Sequence, residues 1–373
     1  NDWDAVILTR GAFERIGVRR DTAAEYLDRE VASLRAALER MKEAGAGLTV
    51  KRLERIVVGQ EEAIKKALDG PQEPGVSFED TGIDNLVVDE MHDFKNLRTV
   101  SNISDANIAG SKRATDLHMK IGYLRATHGE RVITGATATP IANSVTEAHV
   151  MQRYLRPDLL EDAGVLEFDR WAATFGQLVT EVEMAPTGGG AYRQKTRFAK
   201  FGNVPEMLRT WHTFADVKTA DDLHLPVPDL ALRADGKRLP ETVVITPTDA
   251  LTGYVTELGE RAERVHNRQV EPAEDNMLKI STDGRKAALD VRLVDPTVAV
   301  EVGVPAKVEV AADRIAAIWQ AHREDVFVDV TTGEESPHRG ALQLVFCDLG
   351  TPGDGWNVYQ ELRDQLVARG LPR

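Results

Sequence analysis

The stretch LVVDEMHDFKN, residues 86–96, ends three apolar residues in the ionisable set Asp89, Glu90, His92 and Asp93. A buried strand that runs into clustered carboxylates points at a ligand, because the carboxyl edge of a parallel sheet is where buried structure aims charge outward. Two chemistries suit the set. Phosphoryl transfer from a nucleotide needs one carboxylate to hold Mg²⁺ through its water shell and a neighbouring base to orient the attacking water. Asp89 and Glu90 supply both, with His92 placed to couple the site to an adjoining strand. The other chemistry is a transition-metal site of Asp89, Glu90, His92 and Asp93, since mixed carboxylate and imidazole ligands suit iron or zinc. The stretch alone does not choose between them.

A second stretch does. ITGATATPIANS, residues 133–144, closes another apolar run with small residues and the hydroxyls of Thr134, Thr137, Thr139 and Ser144. A metal site would want more His, Cys or carboxylate there, whereas hydroxyls at a strand end can hydrogen-bond the acidic stretch and report whether a nucleotide is present. For nucleic acid, YRQKTRFAKF (192–201) interleaves Tyr192, Phe198 and Phe201 with Arg193, Lys195, Arg197 and Lys200. Aromatic rings stack on bases while cations neutralise phosphates; the competing reading is a solvated surface hairpin. Lys112 and Arg113, in GSKRAT, are further candidates, as are Lys279, Arg285 and Lys286 around STDGRK. His118, His149 and His212 fall on apolar or helical patterns and read as structural.

The elements that must position these residues follow from periodicity. AVILT (5–9) reads as a buried parallel strand and Arg10 to Ile16 as a helix. From Asp21 to Met41 apolar residues recur at steps of three and four, Gly45 and Gly47 break the pattern, and it resumes through Leu53, Ile56, Ile64 and Leu68. That predicts an antiparallel helical hairpin, a packing arm. IDNLVVDE is a second strand, residues 114–127 a helix and RVITGATATP (131–140) a third strand; strand, helix and strand in that order make a parallel α/β sheet. Residues 161–240 are poorly patterned. TVVITP (242–247) and LQLVFCDL (342–349) read as further buried strands, with helices at 249–269, in PAKVEVAADRIAAIWQAH and in WNVYQELRDQLVARG.

Composition bounds the rest. With 373 residues, 42% apolar and 28% charged, the chain has material for a large core and for two domains or parts of them. A formal charge of −14 repels nucleic acid on average, so such a contact needs local basic patches. The single Cys347 can form no internal disulfide, and no apolar run approaches the ~20 residues needed to cross a bilayer. The expectation is a cytoplasmic setting with no membrane contact.

An Asp-Glu-x-His strand end, followed by a Thr-Gly-x-Thr-Pro-like strand end and an Asn, resembles the superfamily-two helicases and translocases, most nearly their Swi/Snf-like branch. VVDEMHDFKN matches the first motif down to Lys95-Asn96, and TGATATPIANS matches the second with two extra residues in its middle. AVILTRGAFERI looks like the segment before the acidic motif, which in relatives touches the nucleic-acid backbone and so implicates Arg10. KVEVAADRIAAIW followed by QLVFCDLGTP looks like the start of a second RecA-like lobe. ADVKTADDLHLPVP and LKISTDGRKAALD look like segments of very large phage and plasmid proteins that join a helicase to an adenine-specific methylase.

The resemblance implies an α/β fold. It has a partial RecA-like parallel-sheet lobe at 1–160 with a helical-hairpin insertion at about 21–69, a connecting region at 161–300, and the start of a second RecA-like lobe at 301–373. It implies a DNA-dependent ATPase motor, a DEAH-like helicase or translocase using ATP and Mg²⁺. Asp89 would hold the metal through water, Glu90 would activate the attacking water, and His92 with Thr137, Thr139 and Asn143 would couple hydrolysis to movement. There are departures: no G-x-x-x-x-G-K-[ST] loop occurs in the sequence, and the chain stops before the segment where relatives carry an arginine finger. The expectation is a central fragment, inactive alone, whose missing motor segments, and an attached methylase domain, lie in the same longer polypeptide. The alternative is a non-catalytic relic that serves as a DNA- or protein-binding scaffold.

Overall fold

In a computed structural model, residues 3–43, 47–69, 75–101, 103, 106–142, 144–184, 192–224, 229–233, 235–299, 304–329, 331–353 and 355–372 are described. The chain divides into two compact units, Asn1–Glu181 with Gln194–Leu225, and Val182–Arg193 with Pro226–Arg373. It is mixed α/β, about half helical, and its sheets are small.

The AVILT run is not the strand its composition predicts. Residues 5–9 pair with no strand among the described residues, and Ile7 is 99% exposed. β-branched residues favour a strand only where a neighbouring ladder and a packing face receive them. Thr9 instead caps α1 (Arg10–Glu14), its hydroxyl accepting from the Ala12 amide at 3.3 Å. The expected hairpin does form: α2 (Arg20–Glu43) and α3 (Gly47–Asp69) pack through Val31, Leu34 and Leu38 against Leu53 and Val57.

Next come β1 (Leu86–Val88), a 3-10 turn at Met91–Phe94, α4 (Lys112–His128) and β2 (Ile133–Gly135). β1 and β2 are parallel neighbours, with Leu86 opposite Ile133 and Val88 opposite Gly135, and α4 supplies the crossover that parallel pairing requires. Ser111 caps α4 by accepting from the Ala114 amide. The sheet buries only one face: Leu86 is buried, but Val87 is 78% exposed, which corrects the expectation of strands buried on both sides. α5 (Thr146–Leu155), α6 (Pro157–Asp162) and α7 (Phe168–Phe175) follow. Among the described residues two apolar cores join that of the hairpin. One gathers Phe78, Met91 and Phe94 with Leu117, Ile121 and Tyr154, and the other gathers Val145, Leu160, Phe168, Trp171 and Phe198.

β3 (Gly176–Met184) and β4 (Tyr192–Phe201) pair as a two-stranded ribbon that springs directly from α7. Gly176 is needed at the joint because a Cβ there would meet the Phe198 ring at 1.8 Å. Two short helices, α8 (Val204–His212) and α9 (Ala220–Leu223), complete the first unit.

The second unit is a set of helix pairs. α10 (Asp249–His266) packs on α11 (Met277–Leu289), where Arg261 bridges Asp275 at 2.7 Å and Asp283 at 3.0 Å. α12 (Lys307–His322) precedes an exposed antiparallel hairpin, β5 (Val326–Val328) with β6 (Glu335–Arg339), and packs on α13 (Val358–Ala368). The strands predicted at 242–247 and 342–349 are not formed: neither run enters a strand ladder among the described residues, with Val244 85%, Leu342 87% and Phe346 88% exposed. Glu241 and Val243 to Ile245 line one wall of a cleft of about 910 Å³ whose other wall is α12, and an Arg314–Glu241 ion pair joins the two walls.

Candidate functional site

Parallel pairing sends the chain out of β1 and β2 at the same edge, and the two exits are stitched together. The Ala136 amide donates to the Val88 carbonyl at 2.8 Å, and the Met91 amide donates back to the Ala136 carbonyl at 2.9 Å. Between these bonds lie Asp89 and Glu90, both exposed at the sheet edge. Asp89 accepts from the Glu90 amide at 2.9 Å. Glu90 adopts a left-handed backbone, φ 52° and ψ 49°, which turns the chain sharply into the 3-10 turn and buries Met91 beneath it.

His92 is the bridge. Its Nδ1 lies 2.9 Å from the Thr137 hydroxyl and 3.1 Å from a Glu90 carboxylate oxygen, so one imidazole nitrogen touches both strand exits. Thr137 also accepts from the Thr139 amide at 3.1 Å, an arrangement that sets the path of the following loop. Asn143 lies outside the described residues. Among the described residues no group of three or more His, Cys, Asp or Glu side chains is arranged to hold a metal ion. Exposed carboxylate oxygens at a sheet edge are the donors a hard cation takes through its own waters, and Asp89 presents such a carboxylate.

The N-terminal segment is held against this edge. Arg10 pairs with Asp93, Glu14 pairs with Arg113 at 2.7 Å, and the buried Lys120 ammonium donates to the Phe13 carbonyl at 2.9 Å and to Asp116 at 2.7 Å. Burial pushes the Lys120 amine down and the Asp116 carboxyl up, opposed in each case by the partner's charge. Arg10 and Arg113 thus meet carboxylates of their own chain, while Lys112 stands exposed at the start of α4.

In the ribbon, the backbone of Tyr192, Arg193, Lys195 and Arg197 belongs to β4, but their side chains lie outside the described residues. Lys200 is exposed. Phe198 is only 6% exposed and packs edge-on against Phe168, so the stacking expected of it gives way to core packing. Lys279, Arg285 and Lys286 lie on α11 of the second unit. The histidines read as structural are so placed in two cases: His118 meets the Tyr26 hydroxyl at 2.8 Å, and His149, 1% exposed, bonds the Leu166 carbonyl at 2.9 Å. Burial lowers His149 to about 3 and holds His118 well below the ordinary imidazole range. His212 ends α8, exposed.

One pair escaped the sequence reading. Lys95, just past the 3-10 turn, lies 3.2 Å from Glu147 in the first turn of α5, with side chains 18% and 6% exposed. The second Glu147 oxygen accepts from the Ala142 amide at 2.6 Å. An acidic residue in a helix's first turn ordinarily signals only the helix terminus, which is why Glu147 did not stand out.

Carboxylates and hydroxyls thus stand at adjacent exits of a parallel strand pair, joined through an imidazole. A family model described as "Probable helicase domain" matches residues 1–219, and the chain belongs to that family. It is also 25% identical over 245 residues to "Defense against restriction protein B" of Escherichia phage P1, an alignment that covers 62% of this chain and 10% of that protein. The chain therefore spans about a tenth of the length of that curated relative. No solved structure matches.

Proposed function

We propose that this chain is the central part of a nucleic-acid-dependent ATPase motor of superfamily two, Swi/Snf-like branch, built on RecA-like lobes and acting on DNA. The observation that carries the reading is the His92 contact, which ties Glu90 on one strand exit to Thr137 on the next. Glu90 orients and deprotonates the attacking water, and His92 passes the state of that carboxylate to the loop after β2 through Thr137 and Thr139. Asp89 would hold Mg²⁺ through water, and the ion when bound would neutralise charge on the phosphates of ATP. Asn143 is assigned to the same loop by the family resemblance. Exposed Lys200 and Lys112, with the cations of β4, form the DNA-contacting set, and the name of the phage P1 relative, defence against restriction, accords with work on DNA. The remaining motor segments, and an adenine methylase, are proposed to reside in the same longer polypeptide. The 373 residues alone, which contain no phosphate loop, are expected to turn over no ATP.

In that longer polypeptide, Glu90→Gln keeps size and hydrogen bonding but removes the base. ATP should still bind, while DNA-stimulated phosphate release falls ~10²-fold or more. Asp89→Asn should weaken Mg²⁺-dependent nucleotide binding itself. Normal turnover in the Glu90→Gln protein would remove this reading.

A further inference from the structure

We infer that Lys95 and Glu147 are positioning residues whose ion pair clamps the loop between β2 and α5 onto the acidic strand exit, keeping Thr137 and Thr139 in register with His92. The geometry is a chain of three ties along one loop. The Ala136 backbone is stitched to β1, Thr137 meets His92, and at the loop's far end Glu147 reaches both Lys95 and the Ala142 amide. Without the last tie, the side-chain contact that Thr137 makes with the acidic segment is a hydrogen bond to an imidazole that is 31% exposed and open to competition from water.

The Lys95–Glu147 tie differs in kind. Both partners are largely withdrawn from solvent, where a charge pair is screened little and where removing one partner strands the other. Glu147 is also favoured by its place in the first turn of α5, where the helix dipole stabilises negative charge. Its two oxygens face different ways along the chain, one to the segment leaving β1 and one to the loop leaving β2. A single carboxylate therefore fixes the spacing between the two motifs.

The functional half of this inference, that the spacing sets turnover, rests on the motor reading; the structural half does not. The test uses two readouts on four proteins: wild type, Lys95→Met, Lys95→Arg and the isosteric Glu147→Gln. Amide hydrogen exchange on the 373-residue chain should speed ~10-fold or more across residues 137–142 in Lys95→Met and Glu147→Gln, with α4 amides unchanged, and Lys95→Arg should restore most of the protection. In the longer polypeptide the same two variants should lose ~10-fold in DNA-stimulated kcat with KM for ATP within about twofold, again rescued by Lys95→Arg. Wild-type exchange in both Lys95→Met and Glu147→Gln overturns the clamp. Faster exchange with unchanged kcat overturns the positioning role. Should Lys95→Met fail to fold, Glu147→Gln and Lys95→Arg still decide. A wild-type longer polypeptide that hydrolyses no nucleotide under any condition sinks the motor reading, while exchange on the 373-residue chain still rules on the clamp.

Discussion

NLVVDE in the first unit and QLVFCD in the second are built alike, an apolar run of strand-forming residues closing in acid. Their fates differ. The first forms β1 because Ile133–Gly135 supplies a parallel ladder and α4 lays Leu117, Ile121 and Leu124 into the core beneath it. The second finds neither among the described residues, and Leu342, Leu344 and Phe346 face solvent. What separates a strand from an extended run is therefore the neighbour, since backbone pairing and apolar burial both need a second element to act on. The same holds inside the second unit, where Glu241 and Val243 to Ile245 wall a cleft against α12 without entering a sheet.

The largest effect that can break this comparison lies at Trp171, which is fully buried in the first unit, its indole donating to Gln152 at 2.8 Å. Trp171→Ala should cost ~3–5 kcal/mol in denaturant unfolding. A cost under ~1 kcal/mol would mean that the first unit is no better packed than the second.

Acid sharpens the contrast at intermediate size. His149 is buried and neutral, held near 3, whereas an unfolded imidazole takes up its proton near 6.5. Below pH 6.5 the unfolded chain binds the extra proton, so stability is full above that pH and falls as pH drops. The loss is ~1.4 kcal/mol per pH unit, about 2 kcal/mol by pH 5. His118, lowered by burial and by Arg153, Arg125 and Arg29, adds in the same direction. Unfolding followed from pH 7.5 to pH 5 should show this slope for the first unit, and a non-titrating residue at 149 should flatten it. A pH-independent midpoint would contradict buried neutral histidines.

The smallest effect belongs to Phe346. Phe346→Ser should change unfolding stability by no more than ~0.5 kcal/mol, because an exposed ring has little to lose, while it lowers binding of a hydrophobic dye. A loss of ~2 kcal/mol would reveal that the ring is covered in solution and that the contrast between the units is false.

Much of the candidate site was legible because its parts are local. Strand ends, hairpin and crossover are written in short-range periodicity, and Asp89, Glu90, His92 and Thr137 fall where two such elements stop. What escaped depends on separation in sequence. Arg10 reads as a free cation until Asp93 is placed beside it, and Phe198 reads as a stacking ring until Phe168 and Trp171 cover it. Lys95 and Glu147 lie 52 positions apart, and no periodicity links them. AVILT, TVVITP and LQLVFCDL were misread for the converse reason: composition reports a taste for pairing and says nothing about who is present to pair.

The left-handed turn at Glu90 sets what selection can do with this position. An L-residue in that conformation costs ~1 kcal/mol that glycine would not. A population selected for thermal resistance alone should drift toward glycine at 90, gaining a relaxed backbone and discarding the carboxylate. One selected for turnover should hold glutamate against that gradient, so the residue found at 90 in such a population would tell which pressure it had been under.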